Sequence, residues 1–504
     1  MSEEQNSTQV KALSSKNRYV GPMGSLLYVF YDVSKTFNID TYVERFTYDI
    51  LKLDLTYVSI INGINTIWDV VDDIFIGGLV DRTRTRFGKF KPFLVFFSGP
   101  GTLIFTLSWI LPLFFEGSSS RSLSKFVFWL ILSMLKEALT TIRDVTDQGM
   151  LVAMTPSPVE RTRLIALAEL LSGFLGDNLP KILMGILLDL ATYKKISASI
   201  QGIYIFMGVF TSVVGGLMAF LFSIKAKERV MQSIKRPNIT EGLKSIIENR
   251  PLLLIALSEF LGAFSIDAGL KNYYIDVLGS SSMETIVGIP GAVVSPSSYA
   301  YLNWARKRFS TKTLWVVGDI WGGLLMVPVF IVGSLRGIGK NGLYNKKWAM
   351  IPAFMIRETL WMIVWSVRKV IPREILNEAM DYCEWKNGYR TEGMTIVAKS
   401  LASKLARTVA NIVKPLLLKK FGYDVEAGFG QHVTTERSKY ALFAMCTILP
   451  FATGMLSVIP KLLYNVDRAT MDTMYRELAE RRAATTKVMD DVAASKAAQQ
   501  SESN

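Results

Sequence analysis

The apolar residues of this chain fall into about twelve long runs separated by short polar stretches. In the first half they cover about residues 21–48, 55–80, 92–115, 126–154, 164–190 and 203–224. In the second half they cover about 251–277, 285–304, 313–334, 348–370, 392–418 and 440–463. Most of these runs are as long as the roughly 20 residues a helix needs to cross a bilayer. Backbone polar groups in lipid must be satisfied within the chain, so long apolar runs predict spanning helices. The pattern therefore predicts an all-α membrane protein of about twelve spans in two six-helix groups. Several runs are impure. The first holds Asp32, Lys35, Asp40, Glu44 and Arg45, so it either leaves the bilayer in part or turns a polar face to a cavity. The fourth holds Lys136, Glu137, Arg143, Asp144 and Asp147, and the fifth Glu169 and Asp177.

The parts follow from this pattern. A cytoplasmic tail is expected at 1–20, a first bundle at 21–224, a linker at 225–250 and a second bundle at 251–464. In the linker, Leu243, Ile246 and Ile247 recur at helical spacing among charges, as in a helix lying on the membrane surface. From 465 to 504, Met471, Met474, Tyr475 and Leu478 form a helical stripe that predicts a short cytoplasmic helix before a disordered tail.

Composition changes the picture little. The chain is 50% hydrophobic and carries a formal charge of +14. Its basic residues are spread over short loops between apolar runs, which fits cytoplasmic anchoring rather than nucleic-acid binding. Both termini are then cytoplasmic in a plasma-membrane protein, although Arg336, Lys340, Lys346 and Lys347 add base on the predicted outside. The sequon at Asn238 faces the cytoplasm and should carry no glycan. Residues 1–18 lack the apolar core of a signal peptide. Cys383 and Cys446 form no disulfide framework, and His432, in a polar loop, suggests no catalytic or metal role. No nucleotide loop, zinc spacing or nucleophile elbow is present, so an enzyme and a bound cofactor are not expected.

The chemistry concentrates in one stretch, residues 66–94. Asp69, Asp72 and Asp73 lie at i, i+3, i+4 spacing on one helix face inside an apolar run. Each carboxylate at the centre of a membrane helix costs roughly 2.5–3.5 kcal/mol, so three must face protein or water. Asp81 and a basic turn follow: Arg82, Arg84, Arg86, Gly88, Lys89, Lys91, then Pro92. A similar turn, Arg306 to Lys312, holds the matching place in the second half, as in a two-repeat transporter.

Trp68, Asp69, Asp73 and the run Asp81 to Pro92 resemble the signature of the glycoside–pentoside–hexuronide:cation symporters, a branch of the major facilitator superfamily. A second signature of that family is matched by Asp381, Tyr382, Glu384, Lys386, Gly388 and Arg390, with Cys383 where glycine is usual. The resemblance runs from about residue 21 to 482 and is strong at these two loops. It implies the major facilitator fold and cation-coupled symport of a small polar solute, with Na⁺ or H⁺ as coupling cation. It implies cation ligands at Asp69, Asp73 and Thr141, and a charge partner at Lys404. Asp72 stands where the family has asparagine, and that extra carboxylate favours a proton or a protonated bystander. The two loops would gate the cytoplasmic side.

The solute site is less closely matched. Asp144 matches an aspartate that holds sugar in the family's melibiose permease. Glu169 replaces an arginine, Gln148 and Lys369 replace tryptophans, and Asp32 lies beside a replaced aspartate at Val33. Arg143, Arg357, Arg368 and Lys369 offer cations to an anionic group such as a uronate. Alternatively these charges link helices by pairing with Glu137, Glu169, Glu358 and Glu374. Two plainer alternatives stay open: the acid cluster only pins helices, and Lys404 snorkels or Lys399 is the inward lysine. A small-molecule solute, the bilayer and a monomer are the expected partners. A lysolipid carrier or a non-transporting sensor or scaffold are the other readings the sequence leaves open.

Overall fold

The computed structural model describes residues 20–83, 85–155, 158–228, 249–387, 392–464, 470–478 and 480. The first bundle holds α1 (Pro22–Thr36), α2 (Val43–Asp49), α3 (Leu55–Arg82), α4 (Lys91–Phe114), α5 (Leu123–Met154), α6 (Pro158–Leu171), α7 (Leu179–Thr192) and α8 (Ile200–Lys225). The second holds α9 (Arg250–Gly262), α10 (Leu270–Asp276), α11 (Met283–Val294), α12 (Ser298–Arg308), α13 (Thr311–Ser334), α14 (Lys347–Ile363), α15 (Trp365–Asn387), α16 (Glu392–Lys420) and α17 (Glu436–Leu462). Joined across their breaks, these make twelve rods among the described residues, six in each bundle. Most of the linker, with its expected surface helix and Asn238, lies outside the described residues.

Length and apolarity alone mark only five of the described helices as spans, or six when α14 and α15, bent by 43°, count as one. The other rods fail for two physical reasons. α3, α5 and α16 carry their charges inside the span, and the rods built of two short helices break in mid-membrane. One break is a π turn at Ser172–Asn178, which places Ser172 to donate a 2.7 Å hydrogen bond to Asp32. Outward faces are apolar, with Phe75, Leu103, Leu170 and Val293 among the most exposed side chains, as a lipid-facing surface requires.

Buried packing divides unevenly along the bundle axis. At one end a single core joins the bundles: Tyr42, Phe46, Trp109 and Tyr204 of the first belong with Tyr273, Tyr344, Tyr423 and Phe443 of the second. At the other end there are two cores. One uses Tyr28, Tyr31, Phe90 and Phe222 of the first bundle, the other Trp315, Ile371, Ile375 and Tyr464 of the second. The first end is sealed and the second is split. Between them α3 lies along α16, where Ser59 Oγ donates to the Ile412 carbonyl at 2.7 Å and Asn62 to that of Asn411 at 3.2 Å.

The C-terminal stripe is helical over 470–478 and docks at the split end. Met474 and Leu478 are buried there, and Trp385 donates to Glu477 at 2.7 Å.

Candidate functional site

The acid cluster lies at the α3–α16 contact. Its helical spacing brings carboxylate oxygens of Asp69, Asp72 and Asp73 within 4.8 Å of one another. Lys404, on α16, reaches Asp69 at 2.8 Å and Asp73 at 2.6 Å. Asp72 is treated differently. It is only 2% exposed, accepts a 3.3 Å hydrogen bond from the Thr141 hydroxyl of α5, and has its second oxygen buried with no partner among the described residues. Thr141 therefore belongs with Asp72, where the resemblance grouped it with Asp69 and Asp73. A fourth acid, Glu137, stands one helical turn before Thr141 and beside Asp69. Sequence reasoning left Glu137 out of the cluster; its i, i+4 relation to Thr141 hints at a shared face but says nothing of Asp69.

The profile of the MFS/sugar transport protein family matches residues 23–468. The chain belongs to that family. It is a transporter, not an enzyme, and its cargo is a small molecule. It is 23% identical over 478 residues to the isoprimeverose transporter of Lactiplantibacillus pentosus, covering 90% of each chain. It is 22% identical to the glucuronide carrier protein homolog of Escherichia coli K12, covering 71% of this chain and 74% of that one. Its fold resembles the crystal structure of a D-xylose-proton symporter, with a TM-score of 0.54, 12% identity and coverage of 88% and 95%.

The transporter's cavity opens toward the split end, occupies about 720 Å³ and is lined largely by the second bundle. That volume suits a small solute. Arg368 lines it, and Lys369 is exposed over the Trp365 ring. The first-bundle residues named for the solute are mostly engaged with one another. Lys35 bridges Asp32 and Asp147, the latter at 2.8 Å. Arg143 pairs with its neighbour Asp144 at 2.9 Å, and Glu169 is exposed on α6. The side chain of Gln148 lies outside the described residues. Of the pairings expected to link helices, Arg357 does meet Glu358 at 2.7 Å, but as its neighbour on α14, and Glu374 links α15 to α12 through Arg306 at 2.8 Å; among the described residues Arg143 pairs with no acid on another helix.

The gate residues sit at the split end. Arg82 and Arg86 are exposed. Gly88 has φ +116°, and a Cβ there would lie 2.3 Å from Glu228. The Glu228 carboxylate accepts from the backbone N–H groups of Lys89, Phe90 and Lys91 at 2.8–2.9 Å, which caps α4. Asp381 and Glu384, expected in a loop, are instead on the inner length of α15. Arg84, Arg390 and the Asp81 side chain lie outside the described residues.

At the sealed end a buried charge network crosses between bundles. Arg45, 1% exposed, bonds Asp49 at 2.8 Å and reaches Asp276 at 2.5 Å and Tyr423 at 2.8 Å in the second bundle. His432 Nε2 lies 2.5 Å from Asp49, Lys414 2.6 Å from Glu44, and Lys419 2.8 Å from Asp54. Asp189 accepts from the Ser281 N–H at 2.5 Å. His432, read from sequence as a loop residue without a role, is fully buried in this seal.

Proposed function

We propose that the transporter is a cation-coupled symporter of a small, polar, sugar-type solute, working by alternating access in the plasma membrane. The observation that carries this reading is the acid cluster: three carboxylates and a hydroxyl, all hard oxygen donors, stand at the contact between bundles with one lysine among them. Such donors suit Na⁺, and a set of crowded carboxylates equally suits a proton. A cation at Asp72 would neutralise the acid that Lys404 does not reach. The state so favoured would differ in free energy from the empty one, which is what coupling requires. The relatives named as an isoprimeverose transporter and a glucuronide carrier homolog support a sugar-type cargo. A cavity lined by Arg357, Arg368, Asp319 and Lys461 suits a polar solute better than a lipid tail. On the positive-inside pattern the split end, with Arg82 and Arg86, is cytoplasmic and the seal is external. One chain supplies the seal and the cavity, so a monomer suffices.

The test is uptake of labelled glycosides and uronides into proteoliposomes, with Na⁺ and H⁺ gradients imposed separately. Accumulation driven by one gradient and abolished by Asp69→Asn is expected. Equal uptake with and without either gradient would remove the coupling.

A further inference from the structure

The two bundles present opposite charge to the space between them. In the first bundle each of Lys35, Lys136 and Arg143 has a carboxylate partner, and the acid cluster adds negative charge. The second bundle has donors to spare. The bend between α14 and α15 sets Arg357 and Arg368 around one ring, Trp361, at 4.7 and 4.8 Å from its centroid. Glu358 pairs with Arg357, while no carboxylate among the described residues reaches ion-pair distance of Arg368. Three buried groups on the same cavity wall have no partner among the described residues: Arg357 Nε, Trp361 Nε1 and Ser403 Oγ. Two of the three can only donate. Burying donors unpaired costs about 1–3 kcal/mol each, and an acceptor-rich ligand would recover it.

Room for these side chains is made on α13. A Cβ on Gly322 would lie 2.6 Å from Trp361 Nε1 and 3.0 Å from Arg368 Nη1. The absent side chain is what allows both donors to occupy this wall. Another cation on it, Lys461, is already held by Asp319.

We propose that Arg357, Trp361 and Arg368 form an oxyanion site, and that the solute is a sugar bearing a carboxylate or sulfonate group. The guanidinium forks and the indole N–H take the anion, and the Trp361 ring holds the two forks in place. The inference rests on the sugar-type reading above and narrows its substrate class. Coupling cation and anionic solute would then bind opposite walls, and each would neutralise the field of the wall it meets.

The experiment measures binding of phenyl β-glucuronide and phenyl β-glucoside to the full chain by tryptophan fluorescence, at matched monodispersity and melting temperature. The two probes differ only by carboxylate against hydroxymethyl. The wild type should bind the glucuronide at least about tenfold more tightly, the scale of a hydrogen bond to a charged group. Arg368→Gln should erase that preference by weakening the glucuronide at least about tenfold more than the glucoside. Gly322→Ala, which keeps every charge, should weaken the glucuronide more than the glucoside. Equal affinity for both probes in the wild type, equal loss of both in Arg368→Gln, or no binding of the glucuronide overturns the site. Gradient-driven uptake of the glucoside in preference to the glucuronide would leave the symport reading standing and sink this one. Preferential glucuronide binding without gradient-driven uptake would do the reverse.

Discussion

Asp72 is the residue whose surroundings demand most. Lys404 pairs with both Asp69 and Asp73, yet Asp72 is buried with one bond from Thr141 and, among the described residues, one oxygen unpartnered. A buried bare carboxylate is costly, which makes Asp72 the acid of the cluster with most to gain from a proton or a cation. Asp72→Asn mimics the protonated form permanently. It should lose gradient-driven accumulation by at least about tenfold while keeping solute exchange, because exchange need not discharge the cation. The readout is accumulation and counterflow on the same proteoliposomes, and full accumulation by the variant would exclude Asp72 as the coupling ligand. Lys404→Ala leaves Asp69 and Asp73 uncompensated and should also abolish coupling at neutral pH; Asp72→Asn in that background should restore none of it. Recovery in the double variant would make Asp72 an excess charge rather than a required ligand. At this scale much was legible in the sequence. Helical spacing grouped the three aspartates and an aligned motif pointed to Lys404. Glu137 was missed because its meeting with Asp69 depends on how α5 faces α3, which no spacing within either helix encodes.

Elements show where the reading from sequence stops. Charges inside α3, α5 and α16 hide three spans from hydropathy, and the breaks in α1–α2 and α9–α10 hide two more. Their apolar runs were still visible because the remaining residues are lipid-facing. The second signature was placed in a loop, but α15 continues through Asp381 and Glu384, and its inner length is held by the helix at 470–478 through Trp385 and Glu477. The loop at 421–435 gave no sign that it folds inward. Its His432 is clamped between the Asp424 carbonyl and Asp49, beside Arg45 and Asp276, and stacks on Tyr423 at 4.9 Å. Burial opposes a charged imidazole there, but the Asp49 hydrogen bond and the charges of Asp276 and Asp49 outweigh it and hold the His432 pKa above the ordinary value. With a raised pKa, the histidine's stabilisation of the seal is complete below the ordinary histidine range and is lost as pH rises through the raised pKa. The seal should therefore loosen toward alkaline pH. Ser281, whose hydroxyl has no partner among the described residues and whose N–H meets Asp189, is a suitable reporter. In a background of Cys383→Ser and Cys446→Ala, labelling of Ser281→Cys by an impermeant reagent should rise with pH beyond the thiol's own titration. His432→Gln should remove that extra step. A profile identical in both backgrounds would show that His432 does not titrate with the seal.

On the scale of the whole molecule, one shared core at the sealed end and two separate cores at the split end describe a transporter open to one side only. Rigid bundles that rock about the α3–α16 contact would close one end as they open the other. The charge network sets the balance between the two states. Arg45 is the most costly member to remove, since its loss leaves Asp49 and Asp276 facing each other in the interior. Breaking such a buried pair costs about 3–5 kcal/mol, which is on the order of a hundredfold or more in the ratio of the two states. Two reporters distinguish rocking from local loosening. Ser281→Cys reports the sealed end, and Ala263→Cys, on the cavity wall, reports the open end. In the parent, the Ala263 reporter should label in inside-out vesicles and the Ser281 reporter should resist labelling from outside. Arg45→Ala should raise the rate at Ser281→Cys and lower the rate at Ala263→Cys together, because the same rigid-body movement governs both. Faster labelling at Ser281 with no change at Ala263 would mean that the seal can open while the cavity stays open below. That outcome would describe a leak through the molecule and would end the case for alternating access.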